Sequence, residues 1–386
     1  MHKIGLYTFF SGVNPGTFLQ AYCTYEAIRK ALPNARVELI NQRGYKDKLI
    51  SIGLYSFLKS PSDSIQRSIV LRRKYKHLRK ESFCFSPGGH YGSSCERALK
   101  YIKKQNYDAI FVGSDTILRL NQPYSSTLKD LPPSYLEGVK DCHKILCSAS
   151  SCVTQIDDFS SDLAERATKA ISDFANIGVR DKNTERLLLD IKIASDRIAL
   201  IPDPTYTMDI DTELAEKCLR EKGFDFSKPS VFIHLSRHFV FFEDIIKYFR
   251  KKGWQILTLG YPIQDGYPLH ITPWEWSGIF KFITLSLTES FHDSIFALRN
   301  GSSLFAIDCS AERIGSNGSS KTQALLEQVG LSNHHSSAQD INSFDGLCAK
   351  FDAALNADTT HIKSFCENSR KIYYDFIDQS VANFKH

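Results

Sequence analysis

No basic segment followed by an apolar core and a cleavage site opens the chain, and no apolar run reaches the ~18 residues that span a bilayer. The sequence therefore predicts a cytoplasmic protein. No C-x-x-C pair occurs among the ten cysteines; Cys142, Cys147 and Cys152 recur at every fifth position, a spacing that fits no common metal site. Buried, reduced thiols are the expectation, with no metal and no cofactor. No strong charge excess is present either: 48 basic against 43 acidic side chains leave a net charge of +5, too mild to call for nucleic acid. The one uneven stretch, QRSIVLRRKYKHLRKE, carries Arg67, Arg72, Arg73, Lys74, Lys76, Arg79 and Lys80. It reads as the solvated face of a helix, or as a surface for peripheral contact with an anionic membrane or a lipid-linked substrate.

What the chain does have is alternation. Apolar runs that read as strands occur at Lys3 to Phe10, Arg36 to Ile40, Ala109 to Val112, Ile145 to Ala149, Asn176 to Val179 and Ile198 to Ile201, with helical spacing at Leu19 to Leu32 and Ser160 to Ala175. A polar, proline-containing passage from Pro202 to Thr212 reads as a linker. Alternation then restarts with strands at Val231 to Leu235, Gln255 to Leu259, Phe282 to Leu285 and Leu304 to Ile307, and helices at Phe242 to Lys251 and His292 to Arg299. Strands alternating with helices imply an α/β fold with mostly parallel sheets, here in two units. The expected boundaries are 1–204 for the first, with a helical basic insertion at about 50–85, 205–358 for the second, and 359–386 for a C-terminal helix that returns to the first. Ile362, Phe365, Cys366, Ser369, Ile372, Tyr373, Phe376 and Ile377 form its apolar stripe.

Four segments place polar residues where strands should end, and in a parallel sheet such ends share one rim. The first is NPGTFLQAY, where Asn14, Pro15 and Gly16 make a turn that starts a helix. The second puts Gly113, Ser114 and Asp115 after the strand at Ala109 to Val112. The third puts Arg180 and Asp181 at a strand end, with Asn183 or Thr184 able to cap the next helix, and the fourth places Thr288, Glu289, Ser290, His292 and Asp293 between a strand and a helix. Each has a structural reading as well: caps for Ser114 and Asp115, an ion pair for Arg180, packing for His292. Together, an Arg, a His and helix-start N–H groups suit a small, doubly anionic ligand.

These segments, in this order, resemble the polysaccharide pyruvyl transferase family. The family's N-Y-G-x-x-L-Q-A-Y turn is matched by Asn14, Gly16, Leu19, Gln20, Ala21 and Tyr22; Y-D-A-x-x-V-G-S-D by Tyr107 to Asp115; V-R-[DE]-K by Val179 to Lys182; D-P-T by Asp203 to Thr205; and S-F-H-G by Ser290, Phe291 and His292. The resemblance runs from about residue 3 to 331. It implies a GT-B-like pair of domains facing a cleft. It also implies transfer of the pyruvyl group of phosphoenolpyruvate, as donor substrate, to two hydroxyls of a saccharide, lipid-linked or free, forming a ketal. On that reading His292 is the acid and Asp115 the base or hydroxyl-orienting group. Arg180, Ser290, Asn14, Gly16 and Ser114 hold the donor. Asp293 would keep His292 protonated. The chain departs from the pattern at Pro15 for Tyr, Thr116 for Gln, Ser290 where many relatives carry Arg, and Asp293 for Gly. Two other readings stand beside it: a glycosyltransferase using a nucleotide sugar, and a non-catalytic scaffold in polysaccharide assembly. Against the former, the second half's only glutamates eight apart, Glu213 and Glu221, precede its first strand.

Overall fold

A computed structural model describes residues 1–43, 62–91, 94–120, 130–259, 263–309 and 320–384, and divides them between two compact units. The first comprises Met1–Met208 with Ser369–His386, the second Asp209–Asn368.

In the first unit the chain runs β1 (Lys3–Tyr7), α1 (Pro15–Ala31), β2 (Arg36–Leu39), β3 (Gln42–Arg43), α2 (Ser62–Ser82), β4 (His90–Tyr91), α3 (Cys95–Lys103), β5 (Ala109–Val112), β6 (His143–Ala149), α4 (Ser161–Ser172), β7 (Asn176–Val179), α5 (Lys182–Asp190) and β8 (Ile198–Leu200). Six of these strands make one parallel sheet in the order β2-β1-β5-β6-β7-β8, while β3 and β4 pair separately. Strands of this sheet are apolar nearly throughout, as burial on both faces demands. The order reverses between β1 and β5, which makes the carboxyl ends of those two strands the topological switch point.

The second unit repeats the plan with α6 (Thr212–Glu221), β9 (Ser230–His234), α7 (Phe242–Lys251), β10 (Gln255–Leu259), β11 (Tyr267–Leu269), α8 (Pro273–Ile279), β12 (Leu285–Thr288), α9 (Phe291–Asn300), β13 (Ser303–Asp308), α10 (Lys321–Gln328), β14 (His335–Ser337), α11 (Phe344–Leu355) and the start of α12 (Ile362–Ser380). Its parallel sheet is ordered β11-β10-β9-β12-β13-β14, so the reversal falls between β9 and β12. Helix α12 spans the boundary between the units at Asn368 and Ser369. In its second half, Tyr373 donates to Thr24 Oγ1 at 3.1 Å and lies 3.2 Å from Cys147 Sγ. A Cβ at Gly178 would come within 2.6 Å of Ile201 Cδ1 and 2.7 Å of the Phe376 ring, so a larger residue there would force those side chains to shift.

Several sequence expectations shift. Strand β1 stops at Tyr7 because Thr8 and Phe9 turn away to hydrogen-bond with Gln20, and α1 starts four residues before Leu19. The strand expected at Phe282 to Leu285 is Leu285–Thr288; Phe280–Phe282 continue α8 as a 3₁₀ turn, which periodicity cannot separate from a short strand. The linker from Pro202 is no exposed tether: Asp203 to Thr207 are buried and Pro204–Thr207 form a 3₁₀ turn. On α12, Ile372 is exposed at the edge of the expected stripe. All ten cysteines are free thiols as expected, but Cys84 is exposed and five others are only partly buried. Of the basic insertion, residues 44–61 lie outside the described residues, as do the Arg67, Ile69 and Val70 side chains. Arg79 is not on the solvated face; it is buried and donates to the Gly12 carbonyl at 2.7 Å. Arg73, Lys74, Lys76 and Lys80 are exposed.

Candidate functional site

The switch point of the first sheet is built around Gln20. Asn14 caps α1, its Oδ1 accepting from Thr17 N–H at 3.1 Å, and Pro15 at the first helical position keeps the turn tight. One turn on, the fully buried Gln20 amide donates to Thr8 Oγ1 at 3.1 Å, to the Phe9 carbonyl at 2.7 Å and to the Thr17 carbonyl at 3.0 Å. Its Oε1 accepts from Ser114 Oγ. Gln20 thus ties the ends of β1 and β5 to the helix, and Ser114 belongs to that support; Gly16 is buried in the first turn of α1. Gly113 has a φ of +126° and its hydrogen stands where a Cβ would meet the Cys147 carbonyl at 2.0 Å, so no other residue fits. Beyond it Asp115, half-buried, accepts from Thr116 N–H at 2.8 Å and lies 3.5 Å from Thr17 Oγ1.

Arg180 stands at the end of β7, its side chain 4% exposed, and donates Nη1 to Asp203 Oδ2 at 2.6 Å; Asp203 is itself wholly buried. The other Asp203 oxygen accepts from Thr205 N–H and Oγ1 at 3.0 and 2.6 Å, starting the 3₁₀ turn. The D-P-T segment therefore holds the arginine of V-R-D-K. Burial alone would lower the Arg180 pKa, but the charges of Asp203, Asp115 and Asp181 and the Asp203 hydrogen bond hold it above its ordinary value. The cap of α5 is Asp181, not Asn183 or Thr184: its Oδ1 accepts from Thr184 N–H and Oγ1, both at 2.8 Å. Arg180 is a buried cation under the influence of three carboxylates rather than a surface ion pair.

The switch point of the second sheet has a different chemistry. Thr288 ends β12 opposite His234, which ends β9. His292 occupies the first turn of α9 and is 9% exposed, with its ring edge-on to Phe291. Ser290 precedes the helix without a side-chain cap; its N–H donates to Thr288 Oγ1 at 2.9 Å and its carbonyl accepts from Ser294 Oγ at 3.0 Å. Sequence reasoning paired Asp293 with His292. The Asp293 carboxylate, 1% exposed, instead has hydrogen bonds through Oδ2 to His234 Nδ1 at 2.5 Å and Thr288 Oγ1 at 2.7 Å. His234 and Asp203 are the functional candidates that reading the sequence missed. His234 obeys the same strand-end rule as the others, but the apolar run to Leu235 hides it, whereas β9 ends at His234.

A family model described as polysaccharide pyruvyl transferase matches residues 14–310. No curated protein matches the chain. Among solved structures, the UDP-GlcNAc 2-epimerase of Neisseria meningitidis bound to UDP-GlcNAc is similar at 10% identity, covering 98% of this chain and 100% of that one with a TM-score of 0.52. Anabaena Alr3699/HepE in complex with UDP-glucose is similar at 11% identity, covering 100% and 99%, with a TM-score of 0.51. At such identities the likeness is one of fold, a GT-B-like chain of two Rossmann-like domains. Family membership rests on the match that starts at Asn14 and takes in Arg180, Asp203 and His292: the chain belongs to the polysaccharide pyruvyl transferase family.

Proposed function

We propose that this protein transfers the pyruvyl group of phosphoenolpyruvate to two hydroxyls of a saccharide, releasing phosphate and leaving a ketal. The observation that carries this reading is the family match over residues 14–310, whose motif residues stand at the carboxyl ends of parallel strands, where ligands bind in such sheets. Phosphoenolpyruvate carries a carboxylate and a phosphate. Arg180, whose Nη1 donates to Asp203, offers a planar fork of the kind that binds either group, and the start of α1 in the same unit offers backbone N–H.

In this reading Asn14, Gly16 and Ser114 shape the donor turn, and Ser290 lies at the start of α9. His292 protonates the methylene carbon, which makes the neighbouring carbon electrophilic, and Asp115 orients an acceptor hydroxyl. The membership supports a saccharide acceptor, lipid-linked or free. A nucleotide sugar is the second reading, favoured by the UDP sugars in the similar structures. Calorimetric titration with phosphoenolpyruvate, UDP-glucose and UDP-GlcNAc separates the two. The proposal expects saturable binding of phosphoenolpyruvate at a stoichiometry of about one and phosphate release once an acceptor is supplied. Binding of a UDP sugar with no response to phosphoenolpyruvate would overturn it.

A further inference from the structure

The reversal point of the second sheet holds a pair that the scheme above leaves idle. His234 and Thr288 are register partners at the last positions of β9 and β12, and Asp293 in the first turn of α9 bonds to both through one oxygen. Burying a carboxylate this deeply is costly unless its partners use its charge. The His234 side chain, by contrast, is 32% exposed, so its ring reaches from the buried acid toward solvent at the edge where ligands of such sheets bind. A carboxylate on Nδ1 selects the tautomer protonated there, leaves Nε2 as the basic nitrogen and stabilises the imidazolium formed when Nε2 takes a proton.

We propose that His234 is a general base for the acceptor hydroxyls and that Asp293 is its positioning residue. The assignment of the electrophile rests on the ketal-forming reading; the pair itself does not. After His292 has given a proton to the methylene carbon, an acceptor oxygen bonds to the adjacent carbon while its proton passes to Nε2 of His234. Phosphate then leaves with the electrons of its C–O bond, and the second hydroxyl adds in the same way. Of the two protons removed, one restores His292 and the other departs on phosphate, so the step balances without a further reactant. Asp293 replaces the glycine of the family pattern, and the histidine at the end of β9 gives that acid its use.

The test uses the full chain and two readouts. His234→Gln should lower kcat by ~100-fold or more while leaving KM for phosphoenolpyruvate within about threefold, and added imidazole should restore part of the turnover of His234→Gly. Asp293→Asn, which keeps shape without charge, should lower kcat by about tenfold or more and also spare KM. Near-normal kcat in His234→Gln, or a loss confined to KM, would overturn the proposal. Nitrogen-15 NMR of the wild-type ring at pH 8, assigned by its disappearance in His234→Gln, should find the proton on Nδ1 and none on Nε2. A proton on Nε2 would overturn the base whatever the donor is. A bare Nε2 in a protein that ignores phosphoenolpyruvate would retain the base and discard the donor.

Discussion

At the edge of the first sheet buried acids are matched with a permanent cation or with helix-start N–H groups: Asp203 with Arg180 and Thr205, Asp181 with Thr184. In the second unit two buried aspartates each hold a histidine instead, Asp293 with His234 and Asp308 with His335 at 2.6 Å. The difference is chemical. A guanidinium is charged at any pH the protein meets, so Arg180 can hold an anion but cannot pass a proton. An imidazole changes charge near neutrality, so the second edge can. In the proposed reading, binding is assigned to residues of the first sheet and proton transfer to residues of the second.

The largest effect that would break this contrast is on stability in the first unit. Asp203→Ala leaves the Arg180 charge buried without its partner and removes the start of the 3₁₀ turn, which should cost ~3 to 5 kcal/mol in urea unfolding. Asp308→Ala, which removes a hydrogen-bond partner of His335 without stranding a buried guanidinium, should cost less, about 1 to 3 kcal/mol. Equal losses would erase the distinction between the two edges. Gln20→Leu keeps volume but strands Ser114, Thr8 and the Phe9 carbonyl, so a loss of ~1 to 3 kcal/mol is expected.

A smaller effect sharpens the picture of the thiols. Burial pushes the Cys147 thiol up to about 12, whereas Cys84 is exposed. Iodoacetamide at pH 8 should label Cys84 and spare Cys147 until the protein unfolds, as peptide mapping by mass spectrometry would report. Smallest of all, EDTA should leave turnover unchanged, since the donor's charge is assigned to Arg180 and backbone N–H groups. Loss of turnover restored by one divalent ion would refute that assignment.

Much of the fold is legible in the sequence because most strands of the two sheets are short apolar runs bounded by turn residues, as at Ala109–Val112 and Asn176–Val179, whereas the polar edge strand His335–Ser337 gives no such signal. The α8 segment misleads because the spacing of Phe280, Phe282, Ile283 and Leu285 suits the end of a helix as well as a short strand. At the candidate site the local rule, polar residues where a strand ends, finds Ser114, Asp115, Arg180 and His292. It cannot find what those residues hold. Asp203 reaches Arg180 from 23 residues away, and His234 reaches Asp293 from 59, pairings set by strand order and not by any local pattern. Hence Asp203 reads as part of a linker and Asp293 as a neighbour of His292 alone.

The division of labour between the two edges is tested most directly by measuring phosphoenolpyruvate affinity and turnover in Arg180→Lys and His292→Gln side by side. Lysine keeps a charge against Asp203 but loses the planar fork, so Arg180→Lys should weaken binding by roughly 30-fold, about 2 kcal/mol. His292→Gln should bind within about threefold of the wild type and turn over ~100- to 10,000-fold more slowly. Intact affinity in Arg180→Lys together with near-normal turnover in His292→Gln would contradict the account.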